Sequence, residues 1–472
     1  MRLLPRMLAA GASAIALGVL CGFAPTPSQC PKNDFIVTAA PVYKPLAELR
    51  GGERFPNGAQ LLLVHDSKTE PLVKGFAATA DADVSYDGKS VLFAGKQTAS
   101  DSWQIWELNL EDHSLRLVKS TPDDAERPIH LPGGRLVWAQ RTPDGFQIES
   151  SDDGRPPEAN FLNPTAGPGI LPLTYIHANA FPAGVLHDGR ILFESGFPLG
   201  SGSTPEIYLV YADGSGVESY RCDHGRARWG AHQLESGDVV FTHGASLARF
   251  NSSLAQEEPI AAPSAQYAGA IAETDAGAWL VSARAANSAH YTISLWQPGE
   301  TSQPHASKLD TVLAIDGMDL VDPVLVTPHQ RPNRHPSGLH PWKYANLMAL
   351  DARVSRDGAL RGIPTSVRLE TQDVNGLTVR TGTAPVEQDG SFFVSVPPDR
   401  PIRFALLDHN GSVLRQEHGW FWIRGGEQRY CVGCHAGPER ASENHVPAVL
   451  LRTTTPVDLT GKEPVHPAQG GQ

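Results

Sequence analysis

Cys431 and Cys434 stand two residues apart, and His435 follows directly. That spacing tethers a porphyrin to a chain. Each thiol can add to one of the ring's two vinyl groups, and the adjoining imidazole then lies where it can bind the iron. A redox-active dithiol, or a zinc site using Cys431, Cys434 and a His, are the competing chemistries. The pentapeptide favours one covalent haem c, with Cys431 and Cys434 as thioether residues and His435 as proximal iron ligand. For the sixth iron position His445 is preferred to His418, with an open or water-bound iron as the other reading.

Haem c is attached outside the cytoplasm, so the motif calls for an export signal. Arg2 and Arg6 precede an uncharged apolar run over residues 8–20, and small or helix-breaking residues follow to position 28. Basic, apolar, small is the order of a secretory signal, expected here over residues 1–24. The apolar run is shorter than the roughly 20 residues that span a bilayer. Cleavage is therefore expected over a retained anchor, with a lipid anchor at Cys21 as a further alternative. The mature chain is expected in the periplasm or outside the cell, with no transmembrane helix beyond the signal segment. Cys30 and Cys222 are then candidates for a disulfide.

A formal net charge of −12 with no basic run argues against nucleic acid as a partner. Only 19% of residues are charged, while Gly and Pro number 45 and 39. Such a composition suits a turn-rich β protein and not a helical bundle.

A repeat organises most of the chain. Gly88, Gly134, Gly189, Gly237 and Gly277 each precede a short apolar run, and they lie 46, 55, 48 and 40 residues apart. Each Gly allows a tight turn, and the run after it reads as a buried strand. A second, alternating strand follows most copies, at 104–110, 146–149, 206–211 and 292–296. Units of this length with several short strands predict blades of a β-propeller, TolB- or WD40-like, with six or seven blades over residues 25–327. Residues 60–65 and 319–326 are expected to complete or close the ring. An irregular β-sandwich is the competing architecture.

A Pro-rich stretch at 328–343 reads as a solvated linker despite His329, His335 and His340. Strand patterns resume from 344 and predict a small β-sandwich to 428, so the whole fold is all-β. Residues 429–472 form the haem-binding segment and tail. Only 37 residues follow His435, too few for a cytochrome domain of about 80 residues. The haem must therefore lean on the sandwich, and Trp420, Trp422 and Tyr430 are candidates to pack against it. Within the propeller, His130, His177, His224, His232 and Arg228 could reach a central funnel, although scattered loop positions are the preferred reading.

The final third resembles the hydrazine synthase alpha subunit family. The resemblance rests on residues 382–392, 397–404, 407–411 and 420–435, where a small β domain, a Trp-rich strand and a Gly-Glu step lead into the haem motif. It implies a c-type haem on a β scaffold beside a propeller. Hydrazine synthesis is not carried across, because that subunit is a longer chain with a second haem region and works inside a multihaem complex. The function expected is an exported monohaem c-type cytochrome that passes electrons to a redox partner protein, with the propeller as docking platform. The alternatives are a haem c-dependent oxidoreductase acting on a small nitrogen compound or peroxide, and a haem-containing sensing module.

Overall fold

The computed structural model describes residues 34–66, 68–152, 170–196, 204–221, 226–252, 255–299, 308–355, 358–417, 419–433 and 446–461. The signal-like start, Cys30, Cys222, His224, His418, Cys434, His435 and His445 lie outside the described residues. Among the described residues no helix is long and apolar enough to cross a membrane.

Among the described residues, six four-stranded antiparallel sheets form a propeller of six blades. Their first strands, Ala78–Val84, Ala125–Leu131, Ala180–Val185, Arg228–Gln233, Gln266–Glu273 and Asp319–Leu325, touch one another in a closed ring around the axis. The sixth blade is made from both ends of the domain. Asp319–Leu325 supplies its inner strand, and Phe35–Ala40, Gln60–His65 and Lys68–Pro71 supply the rest. Phe35 pairs with Leu325 and Ala40 with Asp319, which buckles the ring shut. All five repeat glycines adopt positive φ, from 72 to 90°, at the turn between first and second strands. There a side chain would be strained.

In every blade, ladder pairing along the inner strand slips at the same level. Five of the six bulges hold a residue at positive φ: Asp81, Arg127, Gly230, Gly269 and Asp322. A bulge bends the strand and re-aims its side chains. Three charged residues are turned towards the axis in this way, since Asp81, Arg127 and Asp322 all line the channel. One mouth of the channel is plugged by residues 41–59, whose Tyr43 and Phe55 pack on Ala78, Ala80, Trp229 and Tyr291.

Two further four-stranded sheets form the sandwich. One contains Thr378–Pro385, Ser366–Gln372, Ile402–Leu407 and Val413–Gln416. The other orders Gln428–Cys431, Ala345–Ala349, Phe392–Val396 and Val457–Asp458. Their shared core includes Leu347, Leu369, Val394, Phe404 and Ile423.

Two expected boundaries change. The division at 428/429 cuts through a strand, because Gln428–Cys431 pairs in parallel with Ala345–Ala349 and belongs to the sandwich. The short helix Ala448–Arg452 and strand Val457–Asp458 also return to that domain. The linker is not merely a solvated connector, since its backbone is tied to the propeller. His329 N–H donates to Tyr86 O at 3.1 Å and Asn333 N–H to His187 O at 2.9 Å. The His335 ring lies 4.0 Å from that of Tyr211.

Candidate haem-attachment site

The strand that carries Cys431 begins at the junction of the two domains. Val413–Gln416 pairs as the edge strand of the other sheet, and Phe421 rejoins that sheet through an isolated antiparallel bridge to Ile402. Directly after that bridge, Trp422 enters the propeller between the second and third blades. Its ring meets Leu173, Phe193, Val210 and Val217 and is only 1% exposed. The indole N–H donates to Gly214 O at 2.8 Å, which meets the need of a buried indole for an acceptor. Trp422 is therefore not a haem-packing residue, because the blades already enclose it.

Arg424, Glu427 and Arg429 hold the next turns in place. The Arg424 guanidinium donates to Asp399 at 2.7 Å and to the carbonyls of Asp213 and Pro172. It also lies 5.0 Å over the Tyr175 ring. Glu427 accepts from the backbone N–H groups of Arg424 at 2.9 Å and Gly216 at 3.3 Å. Burial raises the pKa of its carboxyl. Gly426, at φ 85°, passes so close to His340 O that a Cβ would sit 2.0 Å from it. Arg429 reaches across to the carbonyl of Val217.

Cys431 ends this clamped run. It is half-buried against the sandwich core, opposite Ala349 in register, and its carbonyl accepts from Leu350 N–H at 2.8 Å. Burial pushes its thiol pKa up. Gly433 then folds against the turn at 351–354, where a Cβ would come 2.7 Å from Val354 O. Only glycine allows that approach.

The remaining aromatic candidates separate. Tyr430 is 67% exposed and, by strand alternation, projects to the face opposite Cys431. Trp420 is buried under the Arg403 guanidinium, 4.4 Å from its ring, and its Nε1 has no hydrogen-bond partner. The ring that faces the Cys431 side is Phe421, which packs on the sandwich core 5.3 Å beneath Arg429. Phe421 lies between Trp420 and Trp422 in sequence, and strand alternation alone puts it on the face opposite theirs. Arg429 carried no signal at all.

These residues fit the haem that the motif implies. Cys431 and Phe421 offer apolar packing, and Gly433 permits a close bend. Among the described residues no group of three or more His, Cys, Asp or Glu could hold a metal ion. Cys434, His435 and His445 lie outside them.

Fold and junction together define a class: a six-bladed propeller docked on a β-sandwich whose edge strand ends in a haem-motif cysteine. Residues 349–436 match the family described as hydrazine synthase alpha subunit middle domain. Hydrazine synthase subunit alpha of Kuenenia stuttgartiensis is 27% identical over 95 residues, covering 18% of this chain and 12% of that protein. The solved Kuenenia stuttgartiensis hydrazine synthase superposes with a TM-score of 0.70 at 18% identity, covering 90% of this chain and 72% of that one. TolB from Acinetobacter baumannii aligns over 62% of this chain at a TM-score of 0.42 and 11% identity, too loosely to carry an argument. The chain is therefore similar to hydrazine synthase alpha in sequence over residues 349–436, and similar in fold to the solved hydrazine synthase across propeller and sandwich. In sequence it matches only a small part of that subunit's length.

Proposed function

We propose that this chain is an exported c-type haem protein that holds one haem through Cys431, Cys434 and His435 and exchanges single electrons with a protein partner. The observation that carries the proposal is the placement of Cys431. The motif leaves from a strand anchored at once in the sandwich, through register with Ala349, and in the propeller, through Trp422, Arg424 and Arg429. A haem bound there supplies a one-electron couple whose potential depends on its axial ligands and burial. The chain's own contribution is rigidity, an apolar seat beside Phe421, and a propeller flank on which a partner can dock. His445 is assigned as the sixth ligand, and the periplasm or cell exterior as the location.

A second reading is favoured by the match of residues 349–436 to a hydrazine synthase family. In it the iron keeps an open position and the chain is an oxidoreductase acting on a small nitrogen compound.

A reduced-minus-oxidised spectrum of protein matured by a haem c attachment system, recorded with and without carbon monoxide, separates the two. Low-spin reduced haem that ignores carbon monoxide supports electron transfer. A carbon monoxide adduct overturns it in favour of the open-site enzyme. Absence of covalent haem defeats both. If His445 is the sixth ligand, His445→Ala converts a carbon monoxide-insensitive haem into a sensitive one.

A further inference from the structure

The propeller channel is a second site, remote from Cys431 in sequence and built by different residues. It encloses about 420 Å³, within the usual range for small-molecule sites. Its lining falls into three tiers set by the inner strands. At the bulge level Asp81, Asp322 and Glu194 surround the guanidiniums of Arg54 and Arg127. Above them lies an apolar belt of Ile129, Val185, Ile271 and Val324. At the open mouth stand Asp83, Glu235 and Glu273, with His130, His187, His232 and His329.

Acid outweighs base throughout, with seven carboxylates and two guanidiniums on the described lining. Both guanidiniums are already committed. Arg54 pairs with Glu48, Asp81 and Asp322, and Arg127 with Glu48 and Glu194. The carboxylates are held in place by neighbouring bulges, Asp322 accepting from Ala270 N–H at 3.0 Å and Glu194 from Ala231 N–H at 3.0 Å. His232 adds no charge to offset this. His232 is driven down to about 4 by burial, then by His329, and so is neutral near pH 7. His130 bonds Asp83 through Nδ1 at 2.6 Å and leaves a buried Nε2 without a partner. A walled negative funnel concentrates cations.

We propose that the channel binds a short aliphatic diamine, one ammonium at the bulge tier and one at the mouth, with its methylenes along the apolar belt. Two to four residues of inner strand separate the acidic tiers. A rise of ~3.3 Å per residue sets them roughly 7–13 Å apart, a span for a chain of about four to six methylenes. No described group of three ligands suits a metal ion, and a hydrophobic belt between the charges has no use for one. The proposal is independent of the haem reading.

The test is calorimetric titration of the full-length protein with 1,4-diaminobutane at pH 8 and low salt, with 1,4-butanediol as the neutral control. Saturable one-to-one binding of the diamine and none of the diol is expected. Glu273→Gln and Glu235→Gln together should weaken binding at least tenfold with an unchanged circular dichroism spectrum. Asp83→Asn is the second variant should that pair misfold. No saturable heat overturns the proposal, as does equal binding of the diol or affinity indifferent to every mouth variant. Calcium binding in place of the diamine also overturns it.

Discussion

The propeller and the sandwich are made of the same unit, a four-stranded sheet, yet they treat their edges in opposite ways. The propeller joins Phe35–Ala40 to Asp319–Leu325 and closes on itself, so its polar groups turn inward to a charged axis. The sandwich ends the sheet of Ala345–Ala349 at Gln428–Cys431, which among the described residues is paired on one side only. A closed ring protects an interior, whereas an edge strand can hand the chain over to something new. The motif cysteine stands at that edge.

The sharpest break of this contrast is chemical. Cys431→Ser with Cys434→Ser should abolish covalent haem completely while leaving the far-ultraviolet circular dichroism unchanged. A haem-stained gel reads the first and a spectrum the second. Retained covalent haem would detach the edge from the function proposed for it.

Next in size is the peg between the two regions. Trp422→Ala removes a fully buried ring from the blades and leaves Gly214 O unpaired, costing about 3–5 kcal/mol. Thermal unfolding should show the loss, and proteolysis should speed up within 328–343, because the domains part there first. An unchanged melting temperature would mean that Trp422 does not couple them.

The charged axis gives a smaller, pH-dependent effect. Burial places His232 at about 4, against 6.5 for a free imidazole. Between those values the unfolded chain takes up a proton that the folded chain refuses. The contribution is therefore complete above pH 6.5 and is lost as the pH falls towards 4, amounting to about 3 kcal/mol. Urea midpoints at pH 7.5, 5.5 and 4.5 should fall in that order, and His232→Gln should flatten the trend.

Smallest is a turn. Gly237 sits at φ 90° with only the end of Gln233 near its would-be Cβ. Gly237→Ala should cost about 1–2 kcal/mol from backbone strain alone. The urea midpoint measures it, and a neutral result would mean that this turn has slack which the others lack.

What could be read from the sequence followed burial. The second strands of the blades, such as Ser90–Lys96 and Ile191–Gly196, are buried nearly throughout and follow a turn glycine. They were legible as apolar runs. The inner strands were not. Ala125–Leu131 contains Glu126, Arg127 and Pro128, and Arg228–Gln233 contains Gly230. A strand lining a polar channel with a bulge at its centre has neither alternation nor an apolar run. His130 and His232 consequently passed for loop residues. They face the channel instead, while Arg228 is buried in an ion pair with Glu257 at 2.7 Å and His177 meets Asp144 at 3.3 Å. In the sandwich the central strands were legible, but Gln428–Cys431 and Val457–Asp458 were not, because each pairs with a strand more than sixty residues earlier. Trp422 was misassigned because its partners, Phe193 and Gly214, come from a blade more than 200 positions earlier.

The buckle of the ring also fixes an order of events. Phe35 waits for Leu325, its ladder partner almost three hundred positions later. Contacts so distant along a chain are slow to form, because the loop must close before the pairing rewards it. A chain emerging amino end first keeps its sixth blade incomplete until nearly three hundred further residues have appeared. Its sandwich, with sequence separations below about a hundred residues, can assemble soon after its own last strand emerges. Trp422 then needs finished second and third blades, not a finished ring. The cysteine edge can therefore be shaped and docked while the buckle is still open, so cofactor loading and ring closure can run as separate clocks.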